Sequence, residues 1–244
     1  EVTPGMPCVL YFPGCGGSLF YDRIGLAAIM LLLHTGHAVA VPPRHLCCGY
    51  PLLAAGMDTE YEDNMAQNRQ YLASMLRNLA KQGFDVRYLA TACGSCRDSL
   101  ARMKLNEQFP QLEQKDVSQI VLPLLQHESM EAPVAPGTSV LYHAACHCER
   151  AGVPTLKGQS QLTGALEQLC KVKVTTIPGC CGESGMGAVT SPTIYNLLRA
   201  RKKERLARAF EPQPQTGACY AGPILVGCPS CKIGIARCLI QLKE

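Results

Sequence analysis

The sequence predicts an α/β protein of two pseudo-symmetric halves, each a small, mostly parallel sheet flanked by helices. Three observations lead to this prediction. Short apolar segments alternate with longer helical patterns along the chain. Gly-rich turns that carry cysteines follow the short apolar segments. The same order of cysteines, a single residue, an adjacent pair and a Cys-x-x-Cys, occurs twice.

In the first half, short apolar segments bounded by turn residues predict strands. These strands are expected at 9–12, 37–41 and 86–90. Apolar residues at helical spacing predict two helices, at 18–34 and 59–82. We expect Ser18 to cap the first helix, and Gly83 to end the second. The segment 105–137 is predicted to be a connector, with a short strand or helix near 120–125.

The second half repeats this order of elements. Strands are predicted at 140–143, 173–177 and 224–226. Helices are predicted at 160–170, at 192–210 and from the last Cys-x-x-Cys to 242. The proline-rich segment between the halves is typical of a linker. We therefore predict two domains, 1–132 and 137–244.

The spacing of the cysteines tests the internal repeat. The offset from Cys15 to Cys146 is 131 residues, and the offset from Cys48 to Cys181 is 133 residues. The last residues of the two Cys-x-x-Cys segments are 135 residues apart. Three landmarks that keep step within four residues indicate two related halves.

Composition narrows the function classes. The 15 cysteines are odd in number and clustered, and no signal-peptide pattern precedes them, which argues against a disulfide framework. A net charge of +4 gives no electrostatic case for nucleic-acid binding. The apolar run 24–33 suits a buried helix and is too short to cross a bilayer. Because the sequence opens at Glu1 without a methionine, we expect an excised piece of a longer protein.

Ten cysteines recur in the repeat and are the predicted cofactor and metal ligands. They are Cys15, Cys47, Cys48, Cys93, Cys96, Cys146, Cys180, Cys181, Cys228 and Cys231. Thiolate-rich sites select zinc or iron–sulfur clusters. A structural zinc ion takes four ligands, so a fifth thiol in each half favours an iron–sulfur cluster. Zinc stays open as the alternative.

These motifs resemble the cysteine-rich CCG domain pair of heterodisulfide reductase B subunits and of glycolate and lactate dehydrogenase iron–sulfur subunits. The matching phrases are Phe12-Pro-Gly-Cys15, Leu46-Cys-Cys-Gly-Tyr-Pro51, Cys180-Cys-Gly-Glu-Ser-Gly185 and Cys228-Pro-Ser-Cys231. The likeness is greatest to the C-terminal cysteine-rich module of large FAD-linked oxidases that act on D-2-hydroxy acids. It covers nearly the whole chain.

The resemblance implies an iron–sulfur electron-transfer module of a flavin-dependent oxidoreductase that oxidises lactate, glycolate or 2-hydroxyglutarate. It implies clusters of the 4Fe–4S type, non-cubane in the heterodisulfide reductase branch, with zinc as an option in one half. FAD is expected on a partner or on another domain, and the partners are a flavoprotein and other iron–sulfur carriers. The expected location is cytoplasmic, with any membrane association through partners. Alone, the chain is not expected to oxidise substrate.

Two other functions stay open. The first is a heterodisulfide-reductase-like catalyst that reduces a disulfide at its clusters. The second is a zinc-stabilised interaction module without redox activity.

Several residues near the motifs have simpler interpretations. The cysteines outside the repeat are expected to be small buried hydrophobes: Cys8, Cys170, Cys219 and Cys238. His143 and His147 flank Cys146, where a satisfied histidine at the end of a strand is favoured over a hydrogen bond to sulfur. The basic run 199–208 is interpreted as a solvated helix face, and alternatively as a docking surface for an acidic partner.

Overall fold

A computed structural model describes residues 3–125, 134–143, 145, 155–183, 188, 191–211 and 219–243. The chain divides into two compact units, Glu1–Leu125 and Gln126–Glu244. Each unit contains a parallel β-sheet flanked by helices. The predicted α/β class with two related sheets is therefore confirmed.

The first unit contains a four-stranded sheet. Its strands are β1 (Pro7–Tyr11), β2 (Ala38–Ala40), β3 (Asp85–Thr91) and β4 (Glu113–Asp116). Its helices are α1 (Asp22–His34), α2 (Tyr50–Ala54), α3 (Asp58–Lys81), α4 (Gly94–Arg102) and α5 (Val117–Leu125). A π-helical turn spans Gly16–Phe20, and a 3₁₀ turn spans Leu105–Glu107.

The strand order of this sheet is β2-β1-β3-β4, and every pairing is parallel. Strand β1 lies between β2 and β3, and its residues Val9 to Tyr11, with Phe12 just beyond, are fully buried. Burial on both faces explains the continuous apolar sequence of this strand. Because the strands are parallel, the loops that follow β1, β2 and β3 emerge at the same edge of the sheet.

Helix α1 differs from its prediction in two ways. Ser18 does not cap it, because Ser18 lies in the π-helical turn and its hydroxyl donates to the carbonyl of Gly14 over 2.6 Å. The expectation of a fully buried helix is also wrong. Ala28 and Leu32 are buried, whereas Leu26 and Met30 are more than half exposed, because neighbouring elements cover only one face.

The second unit repeats the topology with a three-stranded sheet. Its strands are β5 (Ser139–His143), β6 (Lys173–Ile177) and β7 (Ile224–Val226), in the order β6-β5-β7. Its helices are α6 (Thr155–Cys170), α7 (Pro192–Phe210) and α8 (Pro229–Lys243). All pairings are again parallel. The strand predictions at 173–177 and 224–226 and the helix prediction at 192–210 are confirmed to the residue.

The core of the second unit lies between its sheet and helices α7 and α8. Leu141 and Ile177 come from the sheet, Leu206 from α7, and Ile235 and Cys238 from α8. This packing fixes α7 and α8 against the sheet. Among the described residues, no helix is long and apolar enough to cross a membrane.

Candidate metal centres

The five predicted thiols of the first unit form a chain of neighbouring side chains. Cys15 lies within hydrogen-bonding reach of Cys47, and Cys47 within reach of Cys48. Cys96 in turn lies within reach of both Cys48 and Cys93. None of them forms a disulfide. The three loops that follow β1, β2 and β3 thus bring all five thiols of this half together.

Gly14 lets the loop after β1 approach the last of these cysteines. Its φ is +59°, in the left-handed region that favours glycine. A Cβ atom at this position would lie 2.6 Å from the Sγ atom of Cys96. The residue before Cys15 must therefore lack a side chain if Cys96 is to keep its place.

Each Cys-x-x-Cys lies at the beginning of a helix. Cys93 is the N-cap residue of α4, and Cys96 lies in the first turn of that helix. Cys228 and Cys231 have the same positions relative to α8. The first turn of a helix has free N–H groups and the positive end of the helix dipole, which stabilise anionic sulfur bound to a metal. Without metal, hydrogen bonds with neighbouring thiols, and then burial, raise the pKa of Cys96 and Cys231.

The two Cys-Cys-Gly turns also direct N–H groups at sulfur. The N–H of Gly182 donates to the Sγ atom of Cys180 over 3.3 Å. In the first unit, the N–H of Gly49 has the same relation to Cys47. The next N–H along each turn serves the second cysteine of the pair in the same way. Both glycines have positive φ, of 75° and 79°, which bends the turn around the sulfurs.

Helix α3 holds the first turn through two amide side chains. The Nδ2 atom of Asn68 donates to the carbonyl oxygen of Cys47 over 2.7 Å, and that of Asn64 donates to the same oxygen over 3.2 Å. Asn68 is 4% exposed. Sequence reasoning missed both residues, because an asparagine on a long amphipathic helix carries no motif.

Four predicted thiols of the second unit form a matching set. Cys181 lies within reach of Cys180 and of Cys231, and Cys231 lies within reach of Cys228. These four come from the loops after β6 and β7. Two residues that the sequence singled out lie outside the described part of the chain: Cys146 and His147.

A histidine joins the thiols of the second unit. A ring nitrogen of His143 and the sulfurs of Cys181 and Cys231 all lie within 4.8 Å of one another. His143 ends strand β5, is fully buried, and has its Nδ1 atom 3.1 Å from the Nζ atom of Lys202. Burial, and then the charge of Lys202, lower the pKa of His143 to about 4. The imidazole is therefore neutral at pH 7.

Three basic residues of α7 face the turn of their own unit. Lys202 is fully buried and donates to the carbonyl oxygen of Pro178 over 2.7 Å, and Arg205 donates to the same oxygen over 3.1 Å. Arg199 packs against Gly182. The interpretation of the whole run as a solvated face is therefore wrong for Lys202, which points inward. Burial lowers the pKa of Lys202 to about 8, against the opposing effect of nearby thiolates.

The pKa values of the thiols indicate what each set can bind. Hydrogen bonds from its neighbours lower the pKa of Cys47 to about 2. A hydrogen bond with the preceding cysteine of each pair, and then burial, raise the pKa of Cys48 to about 11 and that of Cys181 to about 12. One thiolate thus forms easily, whereas further negative charge at the same place requires a cation. Such a set suits a soft metal ion or an iron–sulfur cluster.

The cysteines outside the repeat differ in exposure. Cys8 and Cys238 are buried, as expected of small hydrophobes. Cys170 is half-buried, and Cys219 is exposed, so the expectation is wrong for Cys219.

Comparison with known proteins places both units in one family. The family model described as "Cysteine-rich domain", CCG, matches residues 9–101 and again residues 140–236. The first match ends before β4, and the two matches together cover the cysteine loops of both units and include all ten predicted ligands.

The chain is also similar to proteins named lactate utilization protein A. It is 24% identical to the one from Exiguobacterium sp. over 206 residues, which are 78% of this chain and 76% of that protein. It is 26% identical to the one from Geobacillus thermodenitrificans over 212 residues, which are 81% of each. For the one from Geobacillus kaustophilus the identity is 26% over 194 residues, 74% of each chain.

Proposed function

Because this chain belongs to the CCG cysteine-rich domain family, we propose that it is an iron–sulfur electron-transfer module of a flavin-dependent oxidoreductase. The observation that carries the proposal is the repeated convergence of thiols at one edge of each parallel sheet. The relatives named for lactate utilization support lactate as the substrate oxidised by the complete system. Our proposal is that this substrate is a D-2-hydroxy acid such as lactate, glycolate or 2-hydroxyglutarate.

The cysteine sulfurs of both units are suitable ligands for an iron–sulfur cluster. In the first unit the ligands are Cys15, Cys47, Cys48, Cys93 and Cys96. In the second unit they are Cys146, Cys180, Cys181, Cys228 and Cys231. The sulfurs of the described ligands converge with N–H groups directed at them, an environment that holds and stabilises anionic sulfur. A bound iron–sulfur cluster supplies one-electron transfer, and the clusters we propose are of the 4Fe–4S type.

The chain's own residues set up the electron-transfer site without reacting themselves. The Cys-Cys-Gly turns hold four sulfurs at fixed places, and α3 and α7 fix these turns through Asn68 and Lys202. Burial of Cys48, Cys96 and their counterparts excludes water from the metal ligands. A fixed, dry sulfur site changes little between oxidation states, which is what rapid electron transfer requires.

The hydride of a hydroxy acid needs an organic acceptor, so the partner is a flavoprotein that carries FAD. Other iron–sulfur carriers or a quinone-linked protein take the electrons onward. Nucleic acid is not a partner, and the module works in the cytoplasm, reaching a membrane only through its partners.

Metal analysis of anaerobically purified protein tests this function. We expect brown protein with iron and acid-labile sulfide in both units, and an absorption band near 400 nm that dithionite bleaches. Colourless protein with stoichiometric zinc in both units would contradict the proposal and favour a zinc-stabilised module. Reduction of a disulfide substrate by the isolated chain with a reduced dye would favour the heterodisulfide-reductase-like catalyst instead.

A further inference from the structure

The buried pair His143 and Lys202 has no counterpart in the first unit. By the repeat, Val140-Leu-Tyr-His143 aligns with Val9-Leu-Tyr-Phe12, so Phe12 takes the place of the histidine. Buried residues on α7 and α3 align as well, because both helices bury a tyrosine, then a polar residue seven positions later, then a leucine after four more. In this alignment Asn68 and Lys202 take equivalent positions. The first unit thus has the phenyl ring of Phe12 where the second has the imidazole of His143. It has the neutral amide of Asn68 where the second has the ammonium group of Lys202.

The charge of Lys202 requires a nearby anion. A fully buried ammonium group is costly unless an opposite charge compensates it. Within the described part of the chain, no carboxylate lies in ion-pair distance of its Nζ atom, and its hydrogen bonds go to a backbone carbonyl and to His143. The sulfurs of Cys181, Cys231 and Cys180 are the groups whose negative charge acts on it once they bind metal as thiolates. Lys202 is therefore placed as the counter-charge of the thiolate set.

The ammonium group also fixes the tautomer of His143. A charged lysine has only donors, so the Nδ1 atom of His143 must accept the hydrogen bond and the ring proton must be on Nε2. The Nε2 atom is buried and has no hydrogen-bond partner among the described residues. A ring nitrogen of His143 lies within 4.8 Å of the sulfurs of Cys181 and Cys231, and the ring also contacts the backbone of Ile177. We infer that one of the two sulfurs accepts the Nε2–H group once the thiols are ionised by metal.

We propose that His143, oriented by Lys202, donates its Nε2–H to the sulfur of the second centre and is not a metal ligand. Together the two residues make the second centre the one with the higher reduction potential. Reduction adds one electron, supplied by the flavin partner, and moves no proton. A buried positive charge and an N–H donor stabilise the more negative, reduced form. His143 and Lys202 are thus positioning residues, and this inference rests on the proposed iron–sulfur function.

A redox titration followed by electron paramagnetic resonance tests the effect on potential. In a Cys48→Ser background, where only the second centre remains, we expect Lys202→Met to shift the reduction equilibrium at least tenfold toward the oxidised form, or about 59 mV for one electron. His143→Phe should shift it in the same direction. The control Arg201→Met, which removes an exposed charge from the same helix, should leave the potential unchanged. Equal potentials in the Lys202→Met variant and its parent would overturn the inference.

A second measurement does not depend on iron. In zinc-loaded protein labelled with ¹⁵N-histidine, long-range ¹H–¹⁵N spectra report which ring nitrogen carries the proton, and His143→Phe assigns the signal among the six histidines. We expect the Nε2–H tautomer in the parent and a mixture in Lys202→Met. Coordination of metal by Nε2, or a proton on Nδ1, would overturn the proposed arrangement. Absence of iron from the native protein would instead contradict the proposed function, while the tautomer would still test the geometry.

Discussion

The side-chain amide of Asn68 donates a 2.7 Å hydrogen bond to the backbone carbonyl of Cys47. This contact joins the middle of helix α3 to the first Cys-Cys-Gly turn. At the corresponding place of the second unit, Lys202 on α7 donates to the carbonyl of Pro178, just before its turn. In both units a buried polar residue on a long helix that follows the turn thus fixes the loop, so this helix helps to set where the sulfurs lie.

Asn68→Ala should weaken the first unit. The change leaves a buried carbonyl with only the longer hydrogen bond from Asn64, and loss of one such bond costs about 0.5–1.5 kcal/mol. Chemical denaturation of the purified protein measures the loss in the free energy of unfolding. Asn64→Ala, which removes the 3.2 Å bond from a less buried residue, is the matched control and should cost less. Equal losses for both variants would contradict the dominant role of Asn68.

Cys181→Ser should remove the second centre and spare the first. Cys181 is 2% exposed and lies next to two further thiols of its set, so a hydroxyl there replaces a central ligand. Iron per chain should fall by about half, as measured on anaerobic protein. The matched variant Cys48→Ser should remove the other half and leave a different spectrum. Unchanged metal content in either variant would show that the ligand assignment is wrong.

Gly14→Ala should disturb the first centre, because the added methyl group would displace the sulfur of Cys96. A left-handed alanine costs roughly 1–2 kcal/mol, and its Cβ atom would lie 2.6 Å from the Sγ atom of Cys96. We expect loss of metal from the first unit only. Gly36→Ala is the control, since Gly36 also has positive φ, +80°, but a Cβ there meets nothing within 4 Å. If both variants kept full metal content, the close approach of Gly14 to Cys96 would not be needed for metal binding.

The sequence was most informative where chemistry and pattern coincide. Cys47, Cys48 and the other repeated cysteines could be found because their order recurs. The strand at 173–177 could be found because its apolar residues follow a predicted helix. Strand β4 could not be found, because its four residues, Glu113–Asp116, are all polar and form an edge strand beside β3. Such a strand is stabilised by backbone pairing, which leaves no apolar period in the sequence.

The pair of His143 and Lys202 was missed for a different reason. The two residues are 59 positions apart, and Lys202 lies in a run of basic residues whose spacing indicates solvent exposure. One signal was available. The spacing of tyrosine, polar residue and leucine on α7 matches that on α3, so an alignment of the two helices would have placed Lys202 at the position of Asn68.

Metal affinity should rise steeply with pH. The pKa of Cys48 is raised to about 11 and that of Cys181 to about 12, so both are thiols at neutral pH in the metal-free protein. Metal binding must expel these protons, and each proton released strengthens binding tenfold per pH unit. We expect the affinity of metal-free protein for Zn²⁺ to rise at least tenfold per unit between pH 6 and 8, measured by competition with a chelator whose own protonation is known. A pH-independent affinity would mean that the thiols are already ionised.

The isolated chain should not oxidise a hydroxy acid. Thiolate-bound clusters pass single electrons, whereas breaking the C–H bond of lactate releases a hydride, which needs a two-electron acceptor such as a flavin. The sequence contains no Gly-x-Gly-x-x-Gly that follows a strand, opens a helix and precedes an acidic residue by about twenty positions. Nothing in the chain's motifs therefore indicates a dinucleotide of its own.

The assay uses the chain with both centres loaded, D-lactate, glycolate or D-2-hydroxyglutarate as substrate, and an artificial electron acceptor. We expect no turnover by the chain alone. After a flavoprotein that oxidises the same acid is added, we expect stopped-flow absorbance to show reduction of the centres. Cys181→Ser with added flavoprotein is the control, because it keeps the first centre and should show a smaller bleaching amplitude. Turnover by the chain alone would exclude a pure relay, since the hydride would then have an acceptor within this chain.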